Sequence, residues 1–255
     1  MKLGNFDELA EQYGQHRPGY APQILDVLLG MVGKPTETID FVDVGAGTGI
    51  WTRMASRRGC RTRAVEPSGP MRTVGASQNG NASIEWIEGS AERTGLAGSS
   101  ADLLTMASSF HWPDYTGATT EFQRVLRPGG RFCALWNPRL IEANPLLVQI
   151  EDDLKTLVPG LKRVSSGRSD FCESLYEKLS KTEGFSEVVY LEARHVERQT
   201  PERYMGLWRS VNDIRVQAGE RLFDAFLAKI EERIAGLEHI EATYLTRAWV
   251  ARSRA

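Results

Sequence analysis

The chain has little cysteine, little histidine, no long apolar run and no excess of one charge, and each shortage removes a class of function. Its three cysteines, Cys60, Cys133 and Cys172, are odd in number and far apart with no Cys-x-x-Cys pair, so neither a disulfide framework nor a zinc site is expected. The four histidines, His16, His111, His195 and His239, are equally scattered, and no metal site is expected. No stretch is apolar for long enough to span a bilayer, and Met1-Lys2-Leu3-Gly4-Asn5-Phe6-Asp7-Glu8 carries acids where a signal peptide needs an apolar core. A cytoplasmic protein without a membrane partner is the expectation. The formal net charge of -2 gives no global attraction to nucleic acid. A local basic cluster, Arg53, Arg57, Arg58, Arg61 and Arg63, has its first three members on one short helix without interleaved aromatics, which reads as a solvated face rather than an RNA-binding one.

What remains is an ordinary globular composition, 41% hydrophobic and 25% charged over 255 residues, with no internal repeat. One stretch organises it. Ile39 to Val44 is an apolar run rich in β-branched residues, followed by Gly45-Ala46-Gly47-Thr48-Gly49 and then by Trp51 to Arg58 at helical spacing. That is strand, tight turn, helix, with glycines that let a ligand lie against the backbone and helix N–H groups that point outward. Arg61 to Val65 is a second strand ending at Glu66, about 20 residues past Gly45, where an acid in a nucleotide site accepts hydrogen bonds from ribose hydroxyls. A dinucleotide fingerprint needs Gly-x-Gly-x-x-Gly, yet here the third glycine is Gly49 and the next position is Ile50. NAD is therefore disfavoured.

The rest of the chain extends the pattern and then breaks it. Strands are expected at Ile84–Glu88, Asp102–Ala107 and Arg131–Trp136, with a helix over Thr120–Leu126 cut by Pro128-Gly129-Gly130. Such alternation from Ile39 to Asn137 implies a parallel sheet with helices on both faces. Before it, Phe6, Leu9, Ala10 and Tyr13 form a helical pattern, either a lid or a packed N-terminal helix, and Pro22 opens a second helix closed by Gly33. After it come two helical patterns within 138–184, a strand at Val188–Val196, helices opening at Thr200-Pro201-Glu202 and spanning Glu220–Ile234, and an alternating strand at Ile240–Val250.

Val42-Asp43-Val44-Gly45-Ala46-Gly47-Thr48-Gly49, Val65-Glu66-Pro67-Ser68 with Met71, Gly89-Ser90-Ala91-Glu92 and Arg124-Val125-Leu126-Arg127-Pro128-Gly129-Gly130 occur in that order. Through them the chain resembles the class I S-adenosylmethionine-dependent methyltransferases over roughly Phe6 to Trp136. Tyr13 to Tyr20 and Ser109-Phe110-His111-Trp112 are more narrowly similar to the small-molecule branch that includes the trans-aconitate methyltransferases. The resemblance implies an α/β fold: a Rossmann-like, seven-stranded, mostly parallel sheet with an antiparallel last strand and helical cap insertions. It implies one domain over 1–255, with cap and substrate elements at 1–20, 138–184 and 200–237.

It further implies S-adenosyl-L-methionine held by Tyr13, Arg17, Gly45, Ala46, Gly47, Glu66, Pro67, Met71, Ser90, Ala91, Glu92 and Ser108. Gly45 and Gly47 would line the methionine part, Glu66 the ribose, and Met71, Ser90 and Ala91 the adenine. Ser90 stands where many relatives carry Asp, a better acceptor from the adenine amino group.

The methyl acceptor is expected to be a small molecule, with an oxygen nucleophile favoured. His111, at the end of the fourth strand, is either a base for it or a pocket residue, and Trp112 is a pocket wall. The acceptor must be chosen by the parts outside the alternating pattern, where Arg139, Trp208 and Arg209 are the candidate contacts. The alternatives are an RNA methyltransferase and a protein that holds the cofactor without methylating anything.

Overall fold

The computed structural model describes residues 17–162 and 169–254. Tyr13, His16 and the helix expected from Phe6 lie outside the described residues. In chain order the elements are α1 (Pro22–Val32), β1 (Asp40–Val44), α2 (Ile50–Arg57), β2 (Arg61–Val65), α3 (Gly69–Ser77), β3 (Ile84–Ile87), β4 (Ala101–Ala107), α4 (Tyr115–Val125) and β5 (Leu126–Trp136). They continue with α5 (Pro145–Leu157), α6 (Asp170–Lys181), β6 (Phe185–Gln199), α7 (Pro201–Arg209), α8 (Asn212–Ile234) and β7 (Ile240–Ser253).

The seven strands form one sheet in the order β3-β2-β1-β4-β5-β7-β6. β1 to β5 pair in parallel, and β7 runs antiparallel to both β5 and β6. This is the expected Rossmann-like sheet with its late antiparallel strand. Strand order reverses between β1 and β4, so the crevice at their carboxyl ends is the place where such a sheet binds ligands. Side-chain alternation explains why both faces are covered. Phe41, Leu103, Cys133, Leu135 and Val250 pack with Leu25 and Leu28 of α1 and Trp51 and Ala55 of α2. Val42, Val44, Leu104, Phe132 and Trp136 pack with Phe122 of α4 and with Cys172, Leu175 and Leu179 of α6.

The final hairpin overshoots the sheet. β5 ends at Trp136 opposite Arg247, while β7 and β6 stay paired from Thr246↔Ala193 out to Ile240↔Gln199. This projecting ribbon carries a separate apolar core, in which Leu147, Ile150 and Leu154 of α5 meet Tyr204 and Trp208 of α7, Phe223, Phe226 and Ile230 of α8, and Ile240, Ala242 and Tyr244 of β7. Of the 138–184 stretch, α5 thus joins the cap, whereas α6 belongs to the sheet.

Local chemistry sets the boundaries. Asp114 caps α4 by accepting from Gly117 N at 2.7 Å, Asn144 caps α5 by accepting from Leu146 N at 2.9 Å, and Thr200 caps α7 by accepting from Arg203 N at 3.3 Å. α4 starts at Tyr115 and ends at Val125, earlier at both ends than the expected Thr120–Leu126. β5 follows at once, because Leu126 pairs with Ala101 and pairing resumes at Arg131, so that 127–130 form a bulge. α8 begins at Asn212, before the expected Glu220, but Gly219 (φ 72) breaks its helical geometry just ahead of that residue.

Candidate functional site

The glycine turn and Glu66 meet at the carboxyl ends of β1 and β2. Gly45 N and Ala46 N both donate to Val65 O, at 2.8 and 3.2 Å, which ties the turn to the end of β2. Gly47 N donates to Glu66 Oε2 at 2.8 Å and Ser68 N to Glu66 Oε1 at 2.9 Å. Arg72 Nη1 holds the Glu66 and Pro67 carbonyls at 2.6 and 2.9 Å. The carboxylate is therefore fixed by backbone donors from the turn and from the residue two places on.

Two glycines matter here for different reasons. Gly45 has φ 65, and a Cβ there would lie 2.8 Å from Ser109 Oγ, so the turn and the end of β4 are in contact. Gly47 has φ 56, yet a Cβ there would meet nothing within 4 Å. The left-handed backbone is required at Gly47, and the space beside it is open.

Asp43, which the motif reading passed over, braces the turn from inside. Its carboxylate is fully buried and accepts from Thr52 Oγ1 at 2.6 Å and Thr105 Oγ1 at 3.1 Å, and Trp51 Nε1 donates to Thr105 Oγ1 at 3.1 Å. Burial pushes its pKa up to about 7, against the lowering effect of the two hydroxyls and with a smaller upward push from Glu66. The available signal was an acid at a strand position whose neighbours are all apolar.

Around the turn, Met71 and Ala91 are buried and Pro67 is exposed. Ser90 and Arg93 exchange backbone hydrogen bonds of 3.0 and 3.3 Å in a tight turn, while Glu92 Oε1 accepts from Asp114 N at 2.9 Å and so joins that turn to α4. At the end of β4, Ser108 holds φ 57, a strained value for a residue with a Cβ, and its hydroxyl lies 3.0 Å from the Tyr20 hydroxyl. Tyr20 packs edge-on against Trp51 at 5.3 Å. His111 is half-buried beside Trp112, which is 44% exposed, and Trp136 Nε1 donates to His111 Nδ1 at 3.4 Å. Burial lowers the imidazole pKa to about 4, so the ring is neutral at physiological pH.

The segment leading to α1 straps this edge to the projecting ribbon. Gly19 O accepts from His195 Nε2 at 3.0 Å and from Asn137 Nδ2 at 2.8 Å, and Ala21 N donates to Thr246 Oγ1 at 2.8 Å. Arg17 turns toward the cap, donating to the Ser210 hydroxyl and carbonyl at 3.2 and 3.1 Å.

In the cap, two of the three candidate acceptor residues come together. The Arg139 guanidinium lies 4.1 Å over the Trp208 ring and pairs with Glu151 at 3.5 Å. Tyr244 faces Arg139 through a backbone bridge, and Tyr204 packs edge-on to Trp208 at 6.3 Å. The Tyr244 hydroxyl is buried without a hydrogen-bond partner, while the Tyr204 hydroxyl lies against the Trp208 indole and the Arg139 guanidinium. Arg209 points elsewhere, to Glu231 at 3.1 Å on the surface. The tyrosines were missed because a helical and an alternating apolar pattern absorb them without remainder.

The basic cluster also resolves differently from a uniformly solvated face. Arg53 is buried and donates to Thr48 O at 2.6 Å, whereas Arg58 pairs with Asp26 at the surface. Among the described residues no group of three or more His, Cys, Asp or Glu is placed to hold a metal, and no helix is long and apolar enough to cross a membrane.

Residues 42–134, which span β1 through most of β5, match the methyltransferase domain family. An uncharacterized methyltransferase of Mycobacterium tuberculosis is 35% identical over 135 residues, 53% of this chain and 53% of that protein. The chain thus spans about half the length of the curated relatives it matches. Among solved structures, a provisionally named type II methyltransferase of Anaeromyxobacter dehalogenans superposes with a TM-score of 0.68 at 22% identity, covering 92% of this chain and 97% of that one. A phosphoethanolamine N-methyltransferase of Haemonchus contortus, solved with S-adenosylhomocysteine, superposes with a TM-score of 0.54 at 16% identity, covering 98% of this chain and 58% of that one. The fold shared with these structures therefore extends beyond 42–134 to nearly the whole chain.

Proposed function

We propose that this chain is an S-adenosylmethionine-dependent methyltransferase that acts on a small-molecule acceptor in the cytoplasm, with oxygen as the receiving atom. The observation that carries the reading is the Glu66 carboxylate held against Gly47 N, beside open space at the left-handed turn. A nucleoside ribose needs an oriented acceptor for its hydroxyls, and Glu66 has the lone pairs for it. Met71 and Ala91 offer an apolar slot for adenine, and Gly45, Ala46 and Gly47 line the methionine end. Ser90, Glu92, Pro67, Ser108 and Arg17 complete the proposed shell, with Glu92 and Arg17 acting through the loops they brace.

S-adenosylmethionine supplies an electrophilic methyl group on a good leaving group, so this chain's main task is to position an acceptor and keep water out. His111 and Trp112, in the loop that follows β4, form a wall of the proposed site. Arg139, Trp208, Tyr204 and Tyr244 in the cap supply a buried guanidinium, an aromatic surface and, at Tyr244, a buried hydroxyl without a partner, which suits a ligand bearing oxygen. Arg209 is the weakest member of the set because its partner lies on the surface. The proposed organisation is one domain, the cap being built from α5, α7 and α8 against the end of β7 rather than from an independent module. Arg53, buried in the turn, is withdrawn from any basic face, which disfavours RNA as the acceptor.

Formation of S-adenosylhomocysteine across a panel of small acids, phenols and amines tests the proposal. Turnover with at least one oxygen acceptor is the expected result. Tight cofactor binding with no turnover on any member would favour the non-catalytic reading.

A further inference from the structure

The wall of the site contains a histidine whose proton is placed by a neighbour. Phe110 anchors the loop after β4, packing on Phe132 at 4.9 Å, Tyr115 at 5.6 Å and Phe171 at 5.8 Å, and so fixes where His111 begins. Trp136, at the end of β5, is 1% exposed and is wedged edge-on between Phe171 at 6.0 Å and Trp249 at 5.7 Å. Its indole cannot turn away, and it presents Nε1 to His111 Nδ1 at 3.4 Å. An indole N–H donates and never accepts. Nδ1 must therefore carry the lone pair, and the one proton of the neutral ring sits on Nε2. Nε2 is itself buried and has no hydrogen-bond partner. A protonated ring would set two N–H groups face to face.

We propose that Trp136 is a positioning residue that locks His111 as an Nε2–H donor, so that His111 receives an oxygen lone pair of the methyl acceptor instead of removing a proton from it. The inference rests on the methyltransferase reading for what the acceptor is, but not for the tautomer itself. It has a consequence for acceptor chemistry. The only basic nitrogen of the ring is occupied by Trp136, so the reacting atom must arrive with its own lone pair free of any proton that His111 would have to take. A buried donor without an acceptor also discriminates strongly against ligands that cannot accept, because their binding leaves the N–H unsatisfied.

The test is long-range ¹H–¹⁵N spectroscopy of the full chain with ¹⁵N-labelled histidine at pH 7, with His111→Gln identifying the signal by its loss. The expected spectrum shows Nε2 protonated and Nδ1 unprotonated. In Trp136→Phe, which keeps an aromatic ring but deletes the donor, the His111 signals should move toward a mixture of both tautomers. An Nδ1–H tautomer or an imidazolium in the unmodified protein would overturn the proposal. An unchanged tautomer in Trp136→Phe would overturn the part given to Trp136. Calorimetric titration with S-adenosylmethionine on the same samples separates the two levels, since absence of binding would sink the methyltransferase reading while leaving the tautomer result standing.

Discussion

The carboxylates beside the glycine turn and the polar groups buried in the cap are met differently. Beside the glycine turn, Asp43 is met by two hydroxyls and Glu66 by two backbone N–H groups, so the main carboxylates have protein partners already in place. In the cap, the Tyr244 hydroxyl and both ends of the Gln199 amide are buried without one. A buried donor or acceptor left unsatisfied costs about 1 to 3 kcal/mol, so such a cluster is stable only if something else meets it. The contrast suits a division of labour in which a preorganised half holds a constant ligand and the cap takes a variable one. The family match likewise ends at residue 134, before the cap begins.

The contrast breaks most sharply at Arg139. Arg139→Ala removes the guanidinium that pairs with Glu151 and lies over the Trp208 ring, and should destabilise the protein by about 3 to 5 kcal/mol, read as a lowered midpoint in urea. Affinity for S-adenosylmethionine should change little in whatever fraction remains folded. A parallel loss of cofactor affinity would show that the two halves are not separable.

Next in size is the pH dependence of stability. Asp43 has a folded pKa of about 7, raised from 3.8, so the folded state binds more protons than the unfolded one between those values. Its contribution is fully present below about pH 4 and is lost as pH rises through 7, by up to about 4 kcal/mol. His111 runs the other way. Its folded pKa of about 4, lowered from 6.5, gives a contribution present above 6.5 and lost as pH falls through 4. The two slopes oppose each other from about pH 4 to 6.5. Asp43→Asn should therefore unmask a stability that rises with pH across that window, measured by urea denaturation at several pH values; an unaltered profile would mean that Asp43 is not the buried acid described.

These particular residues show what could be read before the fold was known. The strand, turn and acid from Ile39 to Glu66 were legible because sheet alternation and left-handed glycines leave local marks in sequence. Arg139 over Trp208 was half legible, as a polar and an aromatic residue outside the alternating pattern. Tyr204, Tyr244 and Asp43 were not, because each sits where periodicity already expects an apolar side chain, and its polar end acquires meaning only from residues far away in the chain. Arg209 was misleading for the converse reason, since one step along α7 from Trp208 turns a side chain about 100° away from it. The short helix α3 escaped notice because Gly69, Pro70 and Gly75 read as loop, although Ser68 caps it by accepting from Met71 N at 3.3 Å.

Smaller effects sharpen the same contrast. Glu66→Ala removes the proposed ribose acceptor and should weaken S-adenosylmethionine binding by about 1.5 to 3 kcal/mol, measured by calorimetry, with the melting temperature as a control on folding. An unchanged affinity would place the ribose elsewhere. Arg209→Ala, which breaks an exposed pair with Glu231, should change stability by less than about 0.5 kcal/mol and leave both ligand affinities alone. A large effect on acceptor binding would return Arg209 to the site.

The central claim is that the turn at Gly45 to Gly49 with Glu66 holds S-adenosylmethionine and not a dinucleotide. Titrating the unmodified protein calorimetrically with S-adenosylmethionine and with NAD, under identical conditions, tests it most directly. Saturable binding of S-adenosylmethionine with no measurable heat from NAD is the predicted result, and equal or tighter binding of NAD would contradict it.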